Sequence, residues 1–117
     1  MIQLFHDFTE YHGIWTFGKA EAELKDVNCT LHALEGTDHT GQKEQYIRKL
    51  GADKVAAVGN GNNDSKMLEA SRLSICVSLK EGCSIEALGV SQIFVQSPID
   101  AIDLFLNPKR LVATLRR

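Results

Sequence analysis

Residues 58–68 read Val58-Gly59-Asn60-Gly61-Asn62-Asn63-Asp64-Ser65-Lys66-Met67-Leu68. They follow the most apolar run of the chain and open into a helical pattern. Gly59 and Gly61 let the backbone turn tightly and come close to a ligand, which makes them phosphate-binding candidates. Asn60 and Asp64 offer hard oxygen atoms, a chemistry that suits Mg²⁺ rather than zinc or copper. The same residues also suit a plain Gly/Asn-rich turn in which Asn63 or Asp64 caps a helix. The loop is not a dinucleotide-binding fingerprint. Gly59 and Gly61 stand in the first two glycine places, but Asp64 takes the third.

Lys43 is the second candidate. It lies early in a helical window, three and four residues before Tyr46 and Ile47. That spacing puts it on their apolar face, from which its ammonium can reach an anion at the sheet edge. The competing reading is a snorkelling lysine whose stem covers apolar surface. Other side chains carry less. His6 and His12, near Asp7 and Glu10, admit a metal cluster, but exposed polar residues are the simpler reading. His32 and His39 have no partner at ligand spacing, and Trp15 and Phe17 read as packing residues. Lys109, Arg110, Arg116 and Arg117 form a basic end, where Arg116 and Arg117 complement a helix dipole. Glu81-Gly82-Cys83 follows a strand and falls in a loop near the candidate site. Nothing in the spacing gives Cys83 a reactive role.

Short apolar runs must position these groups. Thr30–Leu34, Lys54–Val58, Leu73–Val77 and Gln92–Val95 read as strands, and their continuous apolarity suits strands covered on both faces. Helical windows lie between them: residues 17–27, 39–50, 64–70, 83–88 and 99–106, then a last helix opened by Pro108. Asp38 or Thr37 is placed to cap the 39–50 helix and Gly51 to stop it. Strand and helix alternate at βαβ spacing, which predicts an α/β fold of three layers around a parallel sheet. In such sheets ligands sit at the carboxyl ends of strands.

Composition narrows the function classes. At 117 residues the chain suits one domain, and 44% hydrophobic residues can supply its core. A net charge of −2 gives no general attraction to nucleic acid or to an anionic membrane. No run approaches the roughly 18 apolar residues of a membrane span, and residues 1–10 lack signal-peptide features. The three cysteines, Cys29, Cys76 and Cys83, cannot all pair, and read as reduced thiols of a cytoplasmic protein.

A lysine-bearing helix, an apolar strand and then Gly-Asn-Gly-x-Asn-Asp-x-x-Met-Leu, in that order, resemble the haloacid dehalogenase superfamily. More narrowly they resemble its soluble P-type-ATPase-like group. There the loop often reads Gly-Asn-Gly, and the carboxy end is similar to Leu106-Asn107-Pro108-Lys109-Arg110-Leu111-Val112-Ala113-Thr114-Leu115-Arg116-Arg117. The likeness covers residues 16–117, and residues 1–15 are atypical. It implies a single domain with a phosphatase-type hydrolase activity that is Mg²⁺-dependent and acts on a small phosphorylated substrate. No cap insert is visible that would indicate which one. Lys43 matches the lysine that holds phosphoryl oxygens, and Asn60 and Asp64 match the motif that holds Mg²⁺. Lysine and metal together offset the repulsion between nucleophile and phosphate.

The departures lie at the start. The family nucleophile is the first aspartate of Asp-x-Asp-Gly-Thr, with the acid/base two places later, and these residues contain no such run. The nearest segment is Ile2-Gln3-Leu4-Phe5-His6-Asp7-Phe8-Thr9. If Asp7 is the acid/base, Phe5 stands in the nucleophile place. If Asp7 is the nucleophile, Thr9 replaces the acid/base. Thr16 is the nearest candidate for the phosphate-binding hydroxyl, although the motif place falls near Gly13. Turnover is therefore expected to be impaired, whether in a shortened chain, in a degenerate paralogue, or with Asp7 doing weak chemistry. The family's first strand sits beside the strand that is here Lys54–Val58, so Met1–Phe5 or a second chain is expected to cover that edge. A non-catalytic module that binds a partner or forms a homo-oligomer is the main alternative. A nucleotide-binding domain using residues 59–63 is a third.

Overall fold

A computed structural model describes residues 3–6, 11–15, 30–34 and 36–116. The strands are β1 (Gln3–His6), β2 (Tyr11–Trp15), β3 (Thr30–Ala33), β4 (Ala56–Gly59), β5 (Leu73–Val77) and β6 (Ile93–Val95). The helices are α1 (His39–Leu50), α2 (Ser65–Ala70), α3 (Ile85–Val90), α4 (Pro98–Leu106) and α5 (Pro108–Leu115). The expected helix over residues 17–27 lies outside the described residues.

Local chemistry sets the boundaries. Asp38 caps α1 by accepting from Gly41 N at 3.0 Å. Arg48 and Lys49 complement the dipole in its last turn, and Gly51 ends it in the left-handed region at φ +98°. The chain then winds through a 3₁₀ turn, Ala52–Lys54, so β4 starts two residues later than the apolar run suggests. Ser84 caps α3 through Ala87 N at 2.9 Å, which moves that helix past the expected 83–88 window.

The strands form one sheet in the order β3-β2-β1-β4-β5-β6. β4, β5 and β6 are mutually parallel, with Gly59 beside Cys76 and Cys76 beside Phe94. This is the parallel α/β core expected of the sequence, with helices on both faces. Ile47, Ala57, Met67, Leu68 and Cys76 share one cluster, on the side of α1, α2 and α3. Val58, Ile75, Val77, Ile93 and Ala101 form the other, on the side of α4 and α5. Neighbouring residues of β4 and β5 thus point into opposite layers, which is why both strands read as unbroken apolar runs.

The sheet departs from the all-parallel expectation at β1. That strand fills the place beside β4 but runs antiparallel to it, pairing Phe5 with Ala57 and His6 with Ala56. It is also antiparallel to β2, and β2 is parallel to β3. β1 therefore ends at the amino end of β4, at the sheet edge opposite Gly59. Among the described residues no helix is long and apolar enough to cross a membrane.

Ile47 is fully buried where α1 meets the sheet. Ile47→Ala should lower unfolding stability by about 2–5 kcal/mol, read from urea denaturation.

Candidate functional site

The site forms where β4 stops. Gly59 is the last strand residue, and a Cβ there would lie 2.7 Å from Asp64 Cβ and 2.8 Å from its Cγ. Only glycine lets the Asp64 side chain fold over the strand tip. A 3₁₀ turn, Asn62–Asp64, carries the chain back to that position, closed by Asp64 N donating to Gly61 O at 3.0 Å. Asp64 Oδ2 accepts from the backbone N–H groups of Asn60 and Gly61, both at 2.9 Å. α2 then leads away, with Ser65 Oγ donating to Asn62 O at 2.8 Å and to Glu86 Oε1 at 3.1 Å.

α1 delivers the counter-charge. Lys43 lies one turn before Ile47 on the buried face, as helical spacing predicts, and only 1% of it is exposed. Its Nζ donates to Asp64 Oδ1 at 2.6 Å and to Asn63 Oδ1 at 3.4 Å. Asp64 is fully buried, so this is a desolvated ion pair. Withdrawing each ion from water costs several kcal/mol, which only close geometry and further hydrogen bonds offset.

Asn60 completes the tip. Its carbonyl accepts from Ser84 N at 2.7 Å, and its side-chain Nδ2 donates to Glu81 Oε1 and Gly82 O, both at 3.4 Å. Lys43, Asp64 and Asn60 thus meet at one strand end. Gly59 and Gly61 are at the same tip, but Asp64 fills the space over Gly59 and takes the Gly61 N–H. Both glycines serve the carboxylate in this arrangement. Asp7 and Thr16 lie outside the described residues. His39 bonds its ring Nε2 to Gly36 O at 2.9 Å, away from the tip.

Glu86 and Cys76 were not singled out as site residues by sequence reasoning. Both reach the tip from elements distant in the chain, and no local spacing marks them. Burial pushes the Cys76 thiol up from an ordinary 9.0 to about 12, helped by a hydrogen bond with Cys83 and by the negative charge of Cys83 and of Asp64. Folding therefore favours the protonated thiol.

The donor set at the tip is one carboxylate and amide oxygens. Among the described residues no group of three His, Cys, Asp or Glu side chains is placed to hold a metal. Mg²⁺ is the cation class that can take as few as one carboxylate and an amide oxygen, since it keeps several waters and takes phosphate oxygens as further ligands, but here both Asp64 oxygens already accept hydrogen bonds. Fold and site together define a Rossmann-like α/β domain with a buried lysine–aspartate pair at the carboxyl end of a parallel strand. No family model matches the chain. The uncharacterized protein MJ0073 of Methanocaldococcus jannaschii is 46% identical to it over 63 residues, which cover 54% of this chain and 68% of that protein. The chain belongs to the same family as that archaeal protein.

Two outcomes follow from the buried groups. Removing either charge alone, in Lys43→Met or Asp64→Ala, should cost about 3–5 kcal/mol, because the other ion stays buried without its partner. The double variant should cost clearly less than the sum, and a double-mutant cycle in urea measures the difference. The Cys76 contribution to stability is complete below pH 9 and fades as pH rises toward 12, since the folded state holds this proton more tightly. Between about pH 9 and pH 12, the wild type should lose roughly 1 kcal/mol per pH unit more than Cys76→Ala, read from urea denaturation.

Proposed function

We propose that this chain is a phosphate-handling domain of the haloacid dehalogenase type, with a lysine and a magnesium-holding tip and, among the described residues, no nucleophile supplied by the neighbouring strand. The observation that carries this reading is the 2.6 Å contact of Lys43 with Asp64 at the carboxyl end of β4. The order of elements, lysine helix, strand, then Asn60 and Asp64, supports it. Asp64 and Asn60 would hold Mg²⁺, which supplies positive charge to phosphoryl oxygens when bound. Lys43 orients and neutralises an anion beside Asp64, and the burial of both keeps water from screening that charge. The natural ligand class is a small phosphorylated molecule.

Among the described residues, β1 brings no nucleophile to the tip. The family's first strand supplies it from its carboxyl end, next to the loop. β1 occupies that place in the sheet but runs the other way, so its carboxyl end lies at the far edge. The expected behaviour is binding of phosphate with Mg²⁺ and little or no turnover.

The exposed side chains of Ile99 (70%), Leu106 (65%) and Val112 (64%) on α4 and α5 favour a second reading, a non-catalytic module that self-associates. Sedimentation velocity across a hundred-fold concentration range separates the two.

Thermal unfolding with Mg²⁺ and inorganic phosphate tests the first reading. At ten times the dissociation constant, the pair of ligands should add about 1.4 kcal/mol, a rise in Tm of roughly 4–8 °C. Asn60→Ala should abolish this rise at little cost in stability. Hydrolysis of p-nitrophenyl phosphate should stay at the Asp64→Ala background. No rise in Tm for the wild type, or an equal rise in Asn60→Ala, overturns the proposal.

A further inference from the structure

The last two helices carry opposite charges beside exposed apolar side chains. α4 holds Asp100 and Asp103 and no base. α5 holds Lys109 and Arg110 and no acid, and Arg116 follows it. The core takes Ala101, Leu104 and Phe105 from α4. Ile99, Ile102 and Leu106 stand at i, i+3 and i+7, so they form one exposed stripe away from that core. Asp103, four residues after Ile99, flanks the stripe. On α5, Leu111 packs on the core, while Val112 and Leu115 are exposed. Lys109 and Arg116 lie three residues before and four after Val112, on its side of the helix. Five of the eight large hydrophobic side chains exposed among the described residues are on this helix pair, a concentration that single scattered residues do not give. Among the described residues none of Asp100, Asp103, Lys109, Arg110 and Arg116 is in an ion pair.

We propose that α4 and α5 form an isologous interface for a second copy of this chain, with α4 of one copy laid along α5 of the other. A two-fold axis presents one patch to itself, so a patch with its two signs on separate helices meets its own complement. The acids of α4 face the bases of α5 twice per dimer, and the apolar side chains close the seam between them. The apolar area supplies most of the affinity, and the charges choose the partner and the register. An anionic membrane or a nucleic acid would be attracted by Lys109 and Arg116 and repelled by Asp100 and Asp103 beside them. The division of sign therefore favours a second copy over any uniformly charged surface. The patch lies on the face of the sheet opposite α1 and α2, so it leaves the Lys43–Asp64 tip uncovered. The inference rests on the self-association reading above, and adds the surface, the symmetry and the charge pairing that it uses.

The test is sedimentation of the whole chain in four samples: wild type, Asp103→Lys, Lys109→Glu, and an equimolar mixture of the two variants. Both substitutions suit the dipoles of their helices, late in α4 and early in α5. Each reversal turns two attractions per dimer into repulsions, so the dissociation constant should rise about tenfold in either variant. In the mixture every facing pair is again of opposite sign, so a heterodimer should form with the wild-type constant. Asp100→Lys and Arg116→Glu repeat the test from the same helices if either variant fails to fold. A wild type that stays monomeric overturns both this proposal and the self-association reading. A dimer indifferent to both reversals, a mixture that stays monomeric, or open-ended assembly beyond the dimer overturns this proposal alone. So does binding to vesicles of equal parts phosphatidylglycerol and phosphatidylcholine that Lys109→Glu abolishes and Asp103→Lys strengthens, since the patch would then serve a membrane.

Discussion

Two opposite charges withdrawn from water have to meet, and the part of this molecule that surrounds β4 is arranged so that they do. Lys43 is 1% exposed and Asp64 is fully buried. In so dry a place an unpaired ion is more costly than almost any packing defect. The 2.6 Å contact and the two N–H groups on the other carboxylate oxygen answer that demand. Each answer constrains an element. α1 has to place Lys43 and Ile47 on one face, the strand has to end in a residue without a Cβ, and the loop has to turn back within a single 3₁₀ turn. One ion pair thereby fixes the spacing of helix, strand and loop.

The sheet meets a different constraint beside this pair. β4 is apolar on both faces and needs a hydrogen-bonding neighbour on each side. β5 supplies one in parallel and β1 the other in antiparallel. For the backbone the two solutions are close to equivalent, since either satisfies the ladder. For chemistry they differ, because a strand brings its carboxyl-end residues to one edge of the sheet only. A reversed neighbour repairs the edge of β4 without bringing a reactive group to its tip. Folding and catalysis place separate demands on that strand, and β1 meets the first.

The same division explains what was legible in the sequence. The loop and Lys43 could be found because their signals are local: glycine, amide and carboxylate at fixed spacing, and a helical period of three to four residues. The parallel core of β4, β5 and β6 was legible because double-sided burial writes itself as unbroken apolar runs. The start of β4 was misplaced because Lys54 ends a 3₁₀ turn and Val55, although apolar, is its exit, both set by the left-handed Gly51. β2 was missed because Tyr11–Trp15 holds a histidine and a glycine among its five residues, which blurs the strand pattern. The direction of β1 has no local signal, since pairing sense depends on where the chain goes next. The packing of Cys83 onto the core cluster likewise depends on a turn whose reversal only coordinates reveal.

A self-satisfied ion pair has a consequence for function. Lys43 and Asp64 complete one another, so the requirement for a buried charge pair explains both residues with no ligand at all. Their presence is thus a weaker sign of activity than their chemistry suggests. Asn60 is different. Its backbone serves the fold, giving its N–H to Asp64 and its carbonyl to Ser84, and any residue could provide those groups. Its side chain adds only two long hydrogen bonds of 3.4 Å, to Glu81 and Gly82, at a position 8% exposed. The fold has little need of a carboxamide there. The proposed ligand site therefore depends on the Asn60 side chain more than on the ion pair beside it.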